Sequence, residues 1–245
     1  MVKNAAKGLE SALSSVHKHV DEIVVVETDS DDGGETKRVA EKYTDKVFNY
    51  PLKAGWDHVD DFAAVRNFAM AKCTGDYVVW IDSDDVAVGF GKLRNLIQTT
   101  MEEGDPDRAD CMFLRYDYSF DEFGNCITTQ FRERVLRRGM YEWQGRVHEV
   151  AVPKARHRAL KMRGDAPYIR HEGCVVGDAK DKARVKRNMR ILEDIEAVDG
   201  LSDKQVLYKG NTLYALGRFD EACECFDSYT EYAAFGPEVY ISRIT

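Results

Sequence analysis

The stretch Tyr77-Val78-Val79-Trp80-Ile81-Asp82-Ser83-Asp84-Asp85 constrains this chain more than any other. An apolar run of strand length, rich in β-branched and aromatic residues, stops abruptly at three carboxylates within four positions. That is the pattern of a buried parallel strand whose C-terminal end opens into a site. Adjacent carboxylates repel one another, and the repulsion falls when a divalent cation sits between them. Oxygen donors favour Mg²⁺ or Mn²⁺, ions that commonly also hold a substrate phosphate. The same letters also suit a strand followed by an Asx turn and a helix N-cap, where Asp and Ser serve equally well.

The flanking sequence has the rhythm of a parallel sheet. Leu9, Leu13 and Val16 recur at helical spacing, so residues 5–18 are expected to form a helix with one buried face. Val20 to Val26 reads as a buried strand, followed by the carboxylate-dense loop Glu27 to Gly34. A helix over Thr36 to Tyr43 leads to a short strand at Lys46 to Tyr50, and another helix begins near Asp61. Lys92 to Met101 reads as a helix ending near Gly104-Asp105-Pro106. The pattern then turns antiparallel: Cys111 to Tyr118 and Ile127 to Leu136 are strand-like runs joined by the hairpin signal Asp121 to Asn125. From about Ala179 the chain is helical, and Gly210 to Ala222, continued by Phe226, carries the small and aromatic spacing of a tetratricopeptide (TPR) hairpin. A single repeat cannot bury its own face, so it is expected to pack on the preceding domain or on another subunit, as in a homo-oligomer. The division expected is an α/β domain over 1–177 and a helical region over 178–245.

With 245 residues the chain has length for one large α/β domain and an appendage, and no apolar run approaches the roughly 18 residues of a membrane span. Met1 to Lys18 reads as an amphipathic helix rather than a secretory signal. The scattered cysteines lack metal-ligand spacing and are expected to be reduced thiols of a cytoplasmic protein; Cys223-x-Cys225 suits core packing. The net charge of −8 is uneven: residues 131–190 hold 17 Lys/Arg against 7 Asp/Glu, a net of +10 that leaves −18 for the remainder. Such a segment implies either a local anionic partner or, for Lys180 to Arg190, a solvated helix face.

Several motifs in order resemble family 2 glycosyltransferases of the GT-A fold, a Rossmann-like fold for nucleotide-diphospho-sugars. They are Met1-Val2-Lys3-Asn4, the Val20 to Val26 strand, Asp61-Phe62 with Arg66-Asn67, Thr74-Gly75-Asp76-Tyr77 and Ile81-Asp82-Ser83-Asp84-Asp85. Gly145-Arg146-Val147-His148-Glu149, Ile169-Arg170-His171 and Arg187-Asn188 extend the similarity to the branch whose catalytic domain precedes TPR-like helices, typified by bacteriocin-peptide glycosyltransferases. Two departures stand out. Only Met1-Val2 remain of the strand that runs into Val-Lys-Asn in the family, and Glu27-Thr28-Asp29 replaces its usual Asp-x-Gly.

The resemblance implies an inverting, metal-dependent transfer from a nucleotide-sugar, with UDP as the expected nucleotide, to an acceptor hydroxyl or thiol. By resemblance Asp82 with Ser83 faces the nucleoside, Asp84 and His171 hold Mn²⁺ or Mg²⁺, and Glu149 is the general base. Asp85 either assists or caps the next helix. Glu149 has a rival role, that of pairing with an arginine. Glu27, Asp29, Arg66 and Asp61 are assigned to the nucleoside pocket, where carboxylates accept from uracil or ribose and Arg66 meets base or phosphate. Trp143 and His148 are assigned to the acceptor side, with Trp143 as a wall that stacks on a sugar. The acceptor itself stays open among peptide, saccharide and modified nucleic acid. A catalytically silent GT-A module that uses the helical tail for partner contacts is the competing function. A nucleotidyltransferase fits less well, because the loop at 27–32 is acidic where a glycine-rich basic loop is wanted.

Overall fold

The computed structural model describes residues 1–100, 108–173 and 179–232. The expected helix end at Gly104-Asp105-Pro106, the 177/178 boundary and Cys174 lie outside them. The chain divides into two compact units, Met1–Gly173 and Cys174–Thr245, four residues earlier than expected.

The first unit runs α1 (Ala6–Val16), β1 (Val25–Glu27), α2 (Glu35–Glu41), β2 (Val47–Asn49), α3 (Phe62–Lys72), β3 (Tyr77–Val79), β4 (Asp85–Val88) and α4 (Leu93–Thr100). It continues with β5 (Cys111–Phe120), β6 (Cys126–Arg137), β7 (Tyr141–Gln144), β8 (Val150–Pro153), β9 (Ala159–Lys161) and β10 (Tyr168–His171). The mixed α/β architecture agrees with the sequence pattern. β1 and β2 pair in parallel, β7 and β8 form a ribbon, and the main sheet has the order β3-β6-β5-β10-β4, with β9 beside β5. Helix α1 buries Leu9, Ala12, Leu13 and Val16, the i, i+3, i+4, i+7 face of an amphipathic helix. Val16 joins Phe90, Leu93, Met112, Leu114, Val135 and Ile169 in the largest core.

The central strand departs from expectation. β3 pairs with β6 in antiparallel register, Val78 opposite Leu136, and among the described residues it has no parallel neighbour. The long β5–β6 hairpin supplies that partner. Its turn closes on Asp121, whose Oδ1 accepts from the backbone N–H of Asn125 at 2.7 Å and of Phe123 at 3.0 Å. On the other side of β3 a cavity of about 730 Å³, lined by Val24, Val25, Val78 and Val79, reaches as far as Arg66 and Asp82. Val2 enters there, donating to Val26 O at 2.8 Å and accepting from Thr28 N at 2.9 Å, in a parallel bridge with Glu27.

Glu22 ties the starts of three strands together. Just ahead of β1, it pairs with Lys46, which precedes β2, and accepts from the backbone N–H groups of Thr74 and Gly75, which precede β3. Burial raises its pKa, but the hydrogen bonds from Lys46, Gly75 and Thr74 outweigh that and lower it from 4.5 to about 2. A carboxyl depressed in the folded state stabilises above its unfolded pKa, and that stability is lost as pH falls through the folded one. Its contribution is on the order of 3 kcal/mol near neutral pH. Glu22→Gln is therefore expected to lower stability at pH 7, with the gap to wild type closing between pH 4.5 and about 2. Urea unfolding across that range measures it, and a gap constant with pH would refute the role.

The second unit is a helical stack, α5 (Ala179–Val198), α6 (Asp203–Ala215) and α7 (Phe219–Tyr232). Ser202 and Gln205 form a capping box that starts α6. Gly210 lets α7 approach: a Cβ there would sit 2.6 Å from Phe226 Cε1. Met189 of α5 shares the core of Leu207, Leu213, Ala222 and Phe226, so the α6–α7 hairpin covers its apolar face with a helix of its own unit.

Candidate active site

The loop between β3 and β4 holds Asp82, Ser83 and Asp84, and Asp85 is the first residue of β4. Asp85 therefore caps no helix. Helix α1 backs the loop at very close range: a Cβ on Gly8 would lie 2.6 Å from Ser83 O, so glycine is required for this approach. The three carboxylates face different partners.

On one side, Arg66 from α3 reaches two carboxylates at once. Its Nε donates to Glu149 Oε1 at 2.6 Å and its Nη2 to Asp82 Oδ1 at 3.2 Å. The guanidinium lies 4.5 Å from the Trp80 ring centroid and 4.8 Å from that of Trp143, which fixes a planar fork against two flat walls. The Asp82 side chain keeps 37% of its surface. Burial opposes its charge, but Arg66 and Arg134 prevail and hold its carboxyl at about 2.

On the other side, Asp84 and His171 approach each other, with Asp84 Oδ1 3.8 Å from Nδ1. Glu172 N donates to Asp84 O at 2.6 Å, strapping the end of β10 to the loop. Burial pushes the Asp84 carboxyl above its ordinary value; His171 opposes this, and Asp82 and Asp85 add to it. For His171, burial lowers the pKa, but the Asp85 hydrogen bond and the surrounding carboxylates raise it on balance.

Asp85 lies beneath, fully buried and paired with Arg134 Nη1 at 3.1 Å. Arg134, itself 1% exposed, stacks 3.8 Å from the Trp80 ring centroid and 4.4 Å from that of Tyr116. Removing either partner would strand a buried charge, at a cost of roughly 3–5 kcal/mol.

Asp84, Asp85 and His171 bring possible ligand atoms within 4.8 Å of one another. The backbone packs tightly against two of them. A Cβ on Gly173 would lie 2.3 Å from His171 Nε2 and 2.7 Å from Asp84 Oδ2, so only glycine allows that approach. A hard carboxylate oxygen and an imidazole nitrogen brought together in this way fit a divalent cation such as Mn²⁺.

Of the residues singled out from sequence, Arg66, Asp82 and Glu149 meet in one cluster, and Asp84 and His171 in the adjoining one. The rival role foreseen for Glu149 is realised geometrically, with Arg66 as the arginine. Glu27 ends β1 and Asp29 follows in left-handed backbone, φ 61°; among the described residues no hydrogen bond or ion pair joins either to Asp82. Two of the assigned residues have partners within the fold. Asp61 is the N-cap of α3, its Oδ1 accepting from Ala64 N at 2.8 Å, which accounts for its presence without a ligand. Trp143 is 3% exposed, edge-on to Trp80 and bonded through Nε1 to Met70 Sδ at 3.0 Å, so it supports Arg66 and presents no face to a sugar. His148 is exposed, in left-handed backbone at φ 56°.

Sequence reasoning missed Arg134, Tyr116, Tyr118 and Gly173. The cationic 131–190 segment contained two of them, Arg134 and Gly173, but net charge gave no way to separate a buried Arg134 from its neighbours. Part of that segment is engaged within the fold: Arg137 pairs with Asp110 and Arg146 with Asp60, while the exposed Lys161 lies over Phe131 and the exposed Arg170 over Phe120.

A mixed sheet thus carries an Asp-x-Asp loop with basic and carboxylate groups gathered at its end. Residues 1–158 match Glycosyl transferase family 2, and the chain belongs to that family. The SPbeta prophage-derived glycosyltransferase SunS of Bacillus subtilis is 22% identical over 228 residues, covering 91% of this chain and 50% of SunS. A TPR repeat-containing protein of Synechococcus elongatus is 36% identical over 85 residues, 35% of this chain and 19% of that protein. A crystal structure of S. aureus TarS superposes with a TM-score of 0.49 at 14% identity, covering 94% of this chain and 78% of that one. The chain thus spans half or less of the length of these two curated relatives. No helix among the described residues is long and apolar enough to cross a membrane.

Proposed function

We propose that this chain carries out an inverting, metal-dependent transfer of a sugar from a UDP-sugar to an acceptor hydroxyl or thiol. The observation that carries it is the meeting of Arg66, Asp82 and Glu149 beside Asp84 and His171, in a chain of family 2. Asp82 and Ser83 bind the nucleoside side of the donor, with Glu27 and Asp29 at base and ribose. Arg66 orients both Asp82 and Glu149, holding one edge of each carboxylate so that the second edge is aimed. Asp84 and His171 would hold Mn²⁺ or Mg²⁺, which when bound supplies positive charge to the diphosphate leaving group. Glu149 takes the acceptor proton at Oε2, the oxygen that Arg66 does not engage, as the acceptor attacks the anomeric carbon from the face opposite the leaving group.

A thermal-shift panel of nucleotide-sugars with and without Mn²⁺ tests this. A UDP-sugar at 100-fold its Kd is expected to add ~2.7 kcal/mol, roughly 5–10 °C in Tm for a chain of this size, only when Mn²⁺ is present. Asp84→Ala should fold and lose the metal-dependent part. Unchanged UDP affinity in Mn²⁺ for the folded variant would remove the metal from the mechanism.

A further inference from the structure

Every acceptor site of Asp85 is filled by protein. Its Oδ1 accepts from Tyr116 Oη at 3.0 Å and meets His171 Nδ1 at 3.1 Å. Its Oδ2 accepts from Asp82 N at 3.0 Å and is ion-paired with Arg134 Nη1 at 3.1 Å. Two partners on each oxygen use the lone pairs that a carboxylate has, and the residue is 0% exposed. Asp85 thus has nothing left to offer a cation, although it stands beside two residues that do.

The contact with His171 restricts the imidazole. A carboxylate oxygen only accepts, so an unprotonated Nδ1 at 3.1 Å would set lone pair against lone pair, whereas a proton on Nδ1 makes the same contact a hydrogen bond. Tyr116 Oη, 2.9 Å from Nδ1, offers that proton a second acceptor while donating its own to Asp85. The ring plane is held by Tyr118, stacked at 5.3 Å between centroids and 7° between planes. Its opposite edge, Nε2, lies near Asp84 Oδ2, the two atoms standing 2.3 and 2.7 Å from the position that a Cβ on Gly173 would take.

We infer that Asp85 is a positioning residue: it fixes His171 as the Nδ1–H tautomer and so directs the Nε2 lone pair to the cation site shared with Asp84, while Arg134 supplies the charge opposite Asp85. This rests on the reading of Asp84 and His171 as cation ligands. Partners of this kind typically change metal affinity by 10–100-fold without touching the ion.

Long-range ¹⁵N NMR of histidine side chains in metal-free protein reads the tautomer directly. At about pH 9, where a free imidazole is neutral, the His171 signals, identified by their loss in His171→Gln, are expected to show a protonated Nδ1 and a bare Nε2. Asp85→Asn is expected to admit the Nε2–H form and to weaken Mn²⁺ binding, followed by EPR, by 10–100-fold. Because that change strands the Arg134 charge, the paired variant Asp85→Asn with Arg134→Met is measured beside it. A wild-type ring protonated on Nε2 overturns the inference, as does a folded variant that keeps the Nδ1–H form and wild-type Mn²⁺ affinity. Weaker Mn²⁺ binding with the tautomer unchanged makes Asp85 a ligand in its own right and also ends the positioning role. A wild type that binds no Mn²⁺ but shows the Nδ1–H ring removes the cation reading and supports the tautomer assignment.

Discussion

Glu149→Gln is expected to keep nucleotide-sugar binding and to lose transfer by ~10²–10⁴-fold, the usual contribution of a positioned general base. Glutamine preserves the shape and retains an oxygen that accepts from Arg66 Nε, now 2.6 Å from Oε1, so Arg66 keeps its seat against Trp80 and Trp143 and its bond to Asp82. What disappears is the capacity to take a proton. The loss should therefore fall on kcat, with KM for the donor little changed. The competing role, in which Glu149 merely neutralises Arg66, predicts the reverse. Removing the negative charge would then loosen Arg66 and Asp82 and weaken UDP binding, while transfer at saturating donor would drop only modestly. Steady-state kinetics with UDP-sugar titrations separate the two. Transfer retained at a comparable rate would move the base elsewhere, with Glu172 the next carboxylate to test.

The features legible in the sequence were those that depend on short segments. The period-3.6 face of α1 and the Asp121 turn of the β5–β6 hairpin each follow from local preferences that no distant contact overrides. Asp82, Asp84 and Glu149 were legible because adjacent acids and spaced motifs stand out in one dimension. The pairing of β3 was not, since a short apolar strand fits either a parallel or an antiparallel neighbour, and the choice is made by a hairpin over thirty residues downstream. Arg134 was unreadable for a related reason. In Arg132-Glu133-Arg134-Val135 nothing marks the second arginine as buried; it is inside because Asp85, Trp80 and Tyr116 surround it in three dimensions. Trp143 erred in the opposite direction, an aromatic near a loop that turns inward to hold a guanidinium.

Gly173→Ala is expected to weaken Mn²⁺ binding at least ~100-fold, the loss of one well-placed ligand or more. The new Cβ would stand 2.3 Å from His171 Nε2, 2.4 Å from Cε1 and 2.7 Å from Asp84 Oδ2, closer than real Cβ contacts allow. The two groups that must give way are the two assigned to the cation. Backbone strain does not enter, because Gly173, unlike Gly139 at φ 82°, is not in the left-handed region. Gly139→Ala is therefore the useful control. Nothing lies within 4 Å of its Cβ, so it should lower stability by roughly 1 kcal/mol through the backbone alone and leave Mn²⁺ affinity unchanged. A double-mutant cycle identifies the cause of the Gly173 effect. In a His171→Ala background the clash with the ring is gone and only that with Asp84 Oδ2 remains, so adding Gly173→Ala should cost less affinity than it does in the wild type; strict additivity of the two losses would instead mean that the methyl group acts through some route other than the His171 ring. Mn²⁺ affinity equal to wild type in folded Gly173→Ala would show that His171 Nε2 and Asp84 Oδ2 do not hold the cation.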